Sequence, residues 1–149
     1  MPSVRLVVFF GLLILSVALA LVRGGKPEKA GALIILGMVV LQFASLALKP
    51  SVYNEVDVAS VVVDGVGAVA FTMLAVHAMR VWPIWAASLQ ILSLTSHFAR
   101  NIDSREEPLV YVAMKSGPTF LVIVALLLGT LAHIRRVRIN GSDPGWKVW

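Results

Sequence analysis

The chain contains no cysteine. That excludes a disulfide framework, a thiolate nucleophile and any cysteine-based metal site. Charge is nearly as scarce. Asp, Glu, Lys and Arg make up 14% of the 149 residues, where soluble domains carry about a quarter. Acids are the scarcer sign, 8 against 13 Lys and Arg. Long polar segments are missing too, so no soluble domain fits between the apolar runs. Neither His-Glu-x-x-His nor Gly-x-Ser-x-Gly occurs, which removes two common hydrolase elements. Together with 58% apolar residues and a mean hydropathy of +0.87, these absences exclude a soluble enzyme, a disordered tail, a coiled coil and a nucleic-acid-binding module. The pI near 10.1 does not argue for nucleic acid, because the basic residues punctuate the ends of apolar runs, as membrane proteins place them.

What is present is five apolar runs, at residues 4–22, 30–48, 56–79, 82–99 and 109–133. A hydrocarbon core of about 30 Å needs about 20 helical residues. The runs are continuous rather than the short alternating segments of a membrane barrel. The expectation is an all-α membrane protein, a bundle of about five transmembrane helices over residues 1–139 with a short cytoplasmic tail at 140–149. Residues 1–20 also resemble a signal peptide ending in Ala18-Leu19-Ala20, but the uncharged run continues through Val22, which favours a retained span.

With the N-terminus outside, the cytoplasmic side holds Arg23, Lys26, Lys29, Arg80, Arg135, Arg136, Arg138 and Lys147. The outer side then holds only Arg5, Lys49, Arg100 and Arg105. The excess of basic residues inside sets that orientation, with the C-terminus cytoplasmic. Trp82 and Trp85 read as aromatic anchors at the cytoplasmic interface. Trp146 and Trp149 read as a further interfacial anchor or a docking peptide. Pro118 removes a backbone donor inside the fifth run, so residues 108–116 read as an outer-interface segment and Gly117 onward as the span.

The informative chemistry lies in runs three and four. Residues 80–83 form a very short connection, which predicts a tight antiparallel hairpin. Asp57, Ser60, Asp64, Ala68 and Thr72 recur at three- and four-residue steps, as do Ala86, Gln90, Ser93 and His97. Each set shares one helical face. A hairpin turning near Val81 pairs Thr72 with Gln90 and Asp64 with His97. Polar groups in hydrocarbon need partners inside the protein, so the two faces are expected to meet. Gln42 is expected at the level of Asp64, with Lys115 approaching from the outer interface. An Asp–His pair in a dry place suits a proton relay, or simply fixes the hairpin.

His77 and His133 share a depth near cytoplasmic helix ends and raise the idea of haem ligation. Their simpler role is as interfacial groups that complement helix C-termini, and neither haem, another cofactor nor a metal is expected. Gly65-Val66-Gly67-Ala68-Val69-Ala70 fits the loose dinucleotide pattern, but that fingerprint requires a βαβ unit. Inside an apolar run it reads as close helix packing.

The stretch Arg80-Val81-Trp82-Pro83-Ile84-Trp85-Ala86-Ala87, followed by Gln90 and His97, resembles small uncharacterised multispanning inner-membrane proteins of alphaproteobacteria. The resemblance covers residues 60–134. It implies a bacterial inner membrane and carries no activity with it. The functional expectation is a noncatalytic accessory subunit of a larger membrane complex, respiratory or photosynthetic, contacting lipid, other subunits or further copies of itself. The alternative is a small oligomeric proton- or ion-coupled transporter or channel using Asp64 and His97.

Overall fold

The computed structural model describes residues 2–48, 58–102 and 108–146, with side chains described throughout these except at 2, 46 and 100–116. Among them all regular structure is helical. The helices are α1 (Pro2–Arg23), α2 (Lys26–Leu48), α3 (Val58–His77), α4 (Trp82–Ile102) and α5 (Pro108–Asn140). Proline marks the first turn of four of the five: Pro2, Pro27, Pro83 and Pro108. Its missing N–H is unneeded there, and its fixed φ suits a helix start. Gly141 ends α5 at φ 76° and donates its N–H to the Val137 carbonyl at 2.8 Å. This is the left-handed cap that glycine adopts without a steric penalty.

Each helix packs on its neighbours in the chain, and α5 closes back on α1. The result is a ring of five. The links are short: two residues, Gly24 and Gly25, join α1 to α2, and residues 78–81 join α3 to α4. The core lies along the ring axis, formed by Leu13, Val17 and Ala20 of α1, Ala32, Ile35 and Met38 of α2, Val63, Phe71 and Leu74 of α3, Ala86 and Ala87 of α4, and Val122, Ile123 and Leu126 of α5. The outer faces are apolar as well. Val7, Ile14, Leu33, Val40, Val62, Val69, Leu92 and Leu128 are all exposed. A helix apolar on every side is buried in a core or faces lipid.

Among the described residues, four helical segments are long and apolar enough to cross a membrane: Ser3–Arg23, Lys26–Ser45, Val58–His77 and Gly117–Asn140. This corrects the expected five spans. The helix that falls short is α4, whose inward stripe carries Gln90, Ser93 and His97 beside Ser88, Thr95 and Ser96. The candidate span of α5 begins at Gly117, as the position of Pro118 led one to expect. Residues 108–116 belong to the same helix, which runs unbroken through Pro118. One lost backbone bond, to the carbonyl four residues earlier, does not end a helix whose neighbours hold it.

Candidate functional site

At one end of the ring, α3 and α4 bring Asp64 and His97 together. His97 Nε2 lies 2.9 Å from Asp64 Oδ2. Ser93, one turn before His97, donates its hydroxyl to the same oxygen at 2.8 Å. The side chains of His97 and Asp64 are 8% and 15% exposed. Gln42 of α2 donates from Nε2 to Ser60 Oγ at 3.4 Å, and so joins the same level from the next helix.

Asp64, His97, Gln42 and Ser60 line one side of a cavity of about 400 Å³. The remaining walls are Phe9 and Phe10 of α1, Met38, Val39 and Phe43 of α2, Val63 of α3 and Thr119 of α5. Phe9 and Phe10 stand edge to face, with ring centroids 5.6 Å apart. The site is an apolar chamber with a small polar floor. Such chambers use a few placed polar groups to orient a ligand and apolar walls to hold it. The sequence offered no sign of the three phenylalanines as walls, because a lipid-facing ring and a cavity-facing ring look alike in an apolar run.

The expected pairing of Thr72 with Gln90 does not occur. Thr72 donates to its own Ala68 carbonyl at 2.7 Å and is exposed. Gln90 is buried and turns its amide toward Met38 Sδ, 3.7 Å away, beside Gly67. The reason is helical drift. Four residues advance a helix by about 400°, so each four-residue step slips about 40°. Three such steps from Ser60 carry Thr72 about 120° away from the inward face. Gly67, not Thr72, faces Gln90. Lys115 and Trp149 lie outside the residues whose side chains are described.

The opposite end holds a second polar cluster that the sequence did not reveal. Glu28 of α2 is 0% exposed. Its Oε1 accepts from Arg80 Nε at 3.2 Å and from the Trp82 indole at 3.3 Å. Arg80 also donates to the Met79 and Pro144 carbonyls and, at 2.6 Å, to Asp143 Oδ2. That oxygen accepts from His133 Nδ1 at 2.7 Å and Arg136 Nε at 3.0 Å. Burial alone raises the Asp143 pKa, but the Arg136 and His133 hydrogen bonds and the Arg80 and Arg136 charges outweigh it, leaving the carboxyl below its ordinary value. Glu28 stands between Lys26 and Lys29, and nothing in the sequence marks it as buried. Asp143 was hidden in a turn-rich tail.

Trp82 is corrected here. It is not a belt residue but a plug, 7% exposed. It lies against Gly31 of α2 and Gly129 of α5 and edge-on to Phe71, centroids 6.2 Å apart. Trp85 does face outward, 64% exposed. The tail is not a free docking peptide as far as Trp146. Residues 141–146 fold back, the Met79 N–H donates to the Gly145 carbonyl at 3.1 Å, and Trp146 bridges to Ala78. His77 and His133 are engaged separately: His77 Nδ1 donates to the Met73 carbonyl at 2.8 Å, and His133 holds Asp143.

No family model matches the chain, and comparison with curated proteins and with solved structures finds no match.

Proposed function

We propose that this chain is an integral membrane protein whose chamber over Asp64 and His97 binds a lipid-soluble molecule with a hydrogen-bonding head. The observation that carries this reading is the chamber itself, about 400 Å³ with a polar floor of Asp64, His97, Gln42 and Ser60 under aromatic and aliphatic walls. The volume suits a single ring with a short substituent. A hydroxyl on that ring donates to the Asp64 carboxylate, and a carbonyl accepts from the Gln42 amide. The orientation that fits the basic residues puts the Arg80 end at the cytoplasmic face and the chamber in the outer half of the bilayer.

The test is ligand-dependent thermal unfolding of the protein in mild detergent, with a short-tailed benzoquinone, a naphthol and a medium-chain fatty acid as probes. A ligand at a hundred times its Kd stabilises by about 2.7 kcal/mol. The expected result is saturable stabilisation by one ring probe, lost in His97→Leu and kept in a variant at the outward-facing Trp85. Absence of saturable stabilisation by all three probes overturns the reading.

The noncatalytic subunit reading stands second. It is supported by the outer face of α1, where Val4, Leu6, Val7, Val8 and Ile14 are exposed and can meet another apolar span as well as lipid. Companions retained on gentle purification support it, and a homo-oligomer supports self-association instead. A proton- or ion-coupled carrier has less support. Toward the Arg80 end the next buried polar side chains are Gln90, Ser16 and Thr130, but Gln90 turns to Met38 and Thr130 bonds its own helix backbone, so no hydrogen-bonded chain runs on from Asp64 among the described residues.

A further inference from the structure

At the C-terminal turns of α1 and α5 lies a cleft of about 450 Å³ lined by Arg23, His133, Ile134, Val137 and Arg138. The four α5 positions fall on one helical face, and Arg23 is the last residue of α1. Among the described residues, neither Arg23 nor Arg138 has an ion-pair or hydrogen-bond partner. His133 is held in place through Nδ1 by Asp143.

The nearby carboxylates do not neutralise the cleft. Glu28 is engaged by Arg80 and Trp82, and Asp143 by Arg80, His133 and Arg136. The two helix C-termini each contribute about half a negative charge, less than the two full guanidinium charges beside them. The cleft therefore keeps a positive excess and has two forked donors free to grip an oxyanion.

We propose that this cleft binds a phosphate ester, and that the ester is the headgroup of an anionic phospholipid. The inference rests on the membrane reading above but not on the Asp64 chamber. Position favours lipid over a soluble phosphate. The cleft lies where two candidate spans end, Ser3–Arg23 and Gly117–Asn140. Val22, beside Arg23, and Val137, in the cleft wall, are exposed, so an acyl chain can continue along the helices below a bound headgroup. Basic pockets between spans are common headgroup sites.

The experiment compares wild type with the Arg23→Gln/Arg138→Gln double variant in phosphatidylcholine nanodiscs doped with phosphatidylglycerol. Retained lipid is read by native mass spectrometry. Wild type is expected to retain phosphatidylglycerol selectively. Two membrane-surface arginines correspond to about thirtyfold in affinity, so the double variant is expected to lose about that much selectivity. Both arginines are exposed, and Arg23→Lys/Arg138→Lys, which keeps the charge, is expected to retain most of the selectivity. Equal retention of the two lipids by wild type, or unchanged selectivity in the glutamine variant, overturns the proposal. Displacement by millimolar inorganic phosphate assigns the cleft to soluble phosphate and overturns the lipid assignment. Failure of the chamber probes leaves this readout unaffected.

Discussion

Asp64 and His97 are each other's main polar partner in a place with little water, and that mutual dependence is measurable. Removing Asp64 leaves His97 and Ser93 without their acceptor, and removing His97 leaves Asp64 with Ser93 alone, at about 1–3 kcal/mol. Asp64→Leu and His97→Leu are each expected to lower thermal stability in detergent by that order. The double variant is expected to recover part of the loss, because only the Ser93 hydroxyl then lacks its partner. Additive losses would mean that the two side chains do not depend on each other. Asp143 behaves differently because it titrates outside the spans. Its folded pKa lies below the ordinary 3.8, so its contribution is complete above that value and fades as pH falls through the lower folded pKa. Pepsin cleavage of the tail is expected to stay slow down to about that pH and to accelerate only below it. Asp143→Asn is expected to expose the tail to proteases at neutral pH. The Asp64 contact was legible in the sequence because two short spacings and one tight turn determined it. Glu28 was not, since its partner Arg80 lies 52 residues away while two lysines stand almost beside it.

At the scale of the element, α4 is positioned by its first residue. Trp82 wedges its ring where α2 and α5 both offer glycine, and a Cβ at Gly31 or Gly129 would overlap that ring. A rigid indole cannot yield as a flexible side chain can. Gly31→Ala and Gly129→Ala are therefore each expected to destabilise by about 1–3 kcal/mol. Gly11→Ala and Gly37→Ala, where a Cβ meets open space, are expected to be neutral or stabilising, since alanine is the better helix former. Thermal unfolding of the four variants makes the comparison. The helix starts were legible from proline placement, and the hairpin from its short turn. The inward role of Trp82 was not, because a tryptophan at the end of an apolar run fits a belt and a plug equally well. Only the glycines on two distant helices decide between them.

For the whole molecule, the sequence made one contact of the ring readable, the hairpin of α3 and α4, from its short link. The unreadable part was the closure, which depends on residues far apart in the chain. If the Arg80 end faces the cytoplasm, a reporter fused after Trp149 is expected to read cytoplasmic, since Arg135, Arg136 and Arg138 flank the last span. A readout from the opposite side would reverse the proposed orientation and place the chamber in the inner half of the bilayer.

The knot of charges at that end also has a history in time. Glu28 and Arg80 leave the ribosome long before Asp143, which follows Arg80 by 63 residues. Until then Arg80 has only Glu28 and nearby backbone to satisfy it, and His133 and Arg136 have no carboxylate to hold. Residues 141–146 thus bring the one carboxylate that Arg80, His133 and Arg136 share. A nascent chain halted before Asp143 would keep the Arg80–Glu28 pair but leave His133 and Arg136 without a carboxylate at the end of α5.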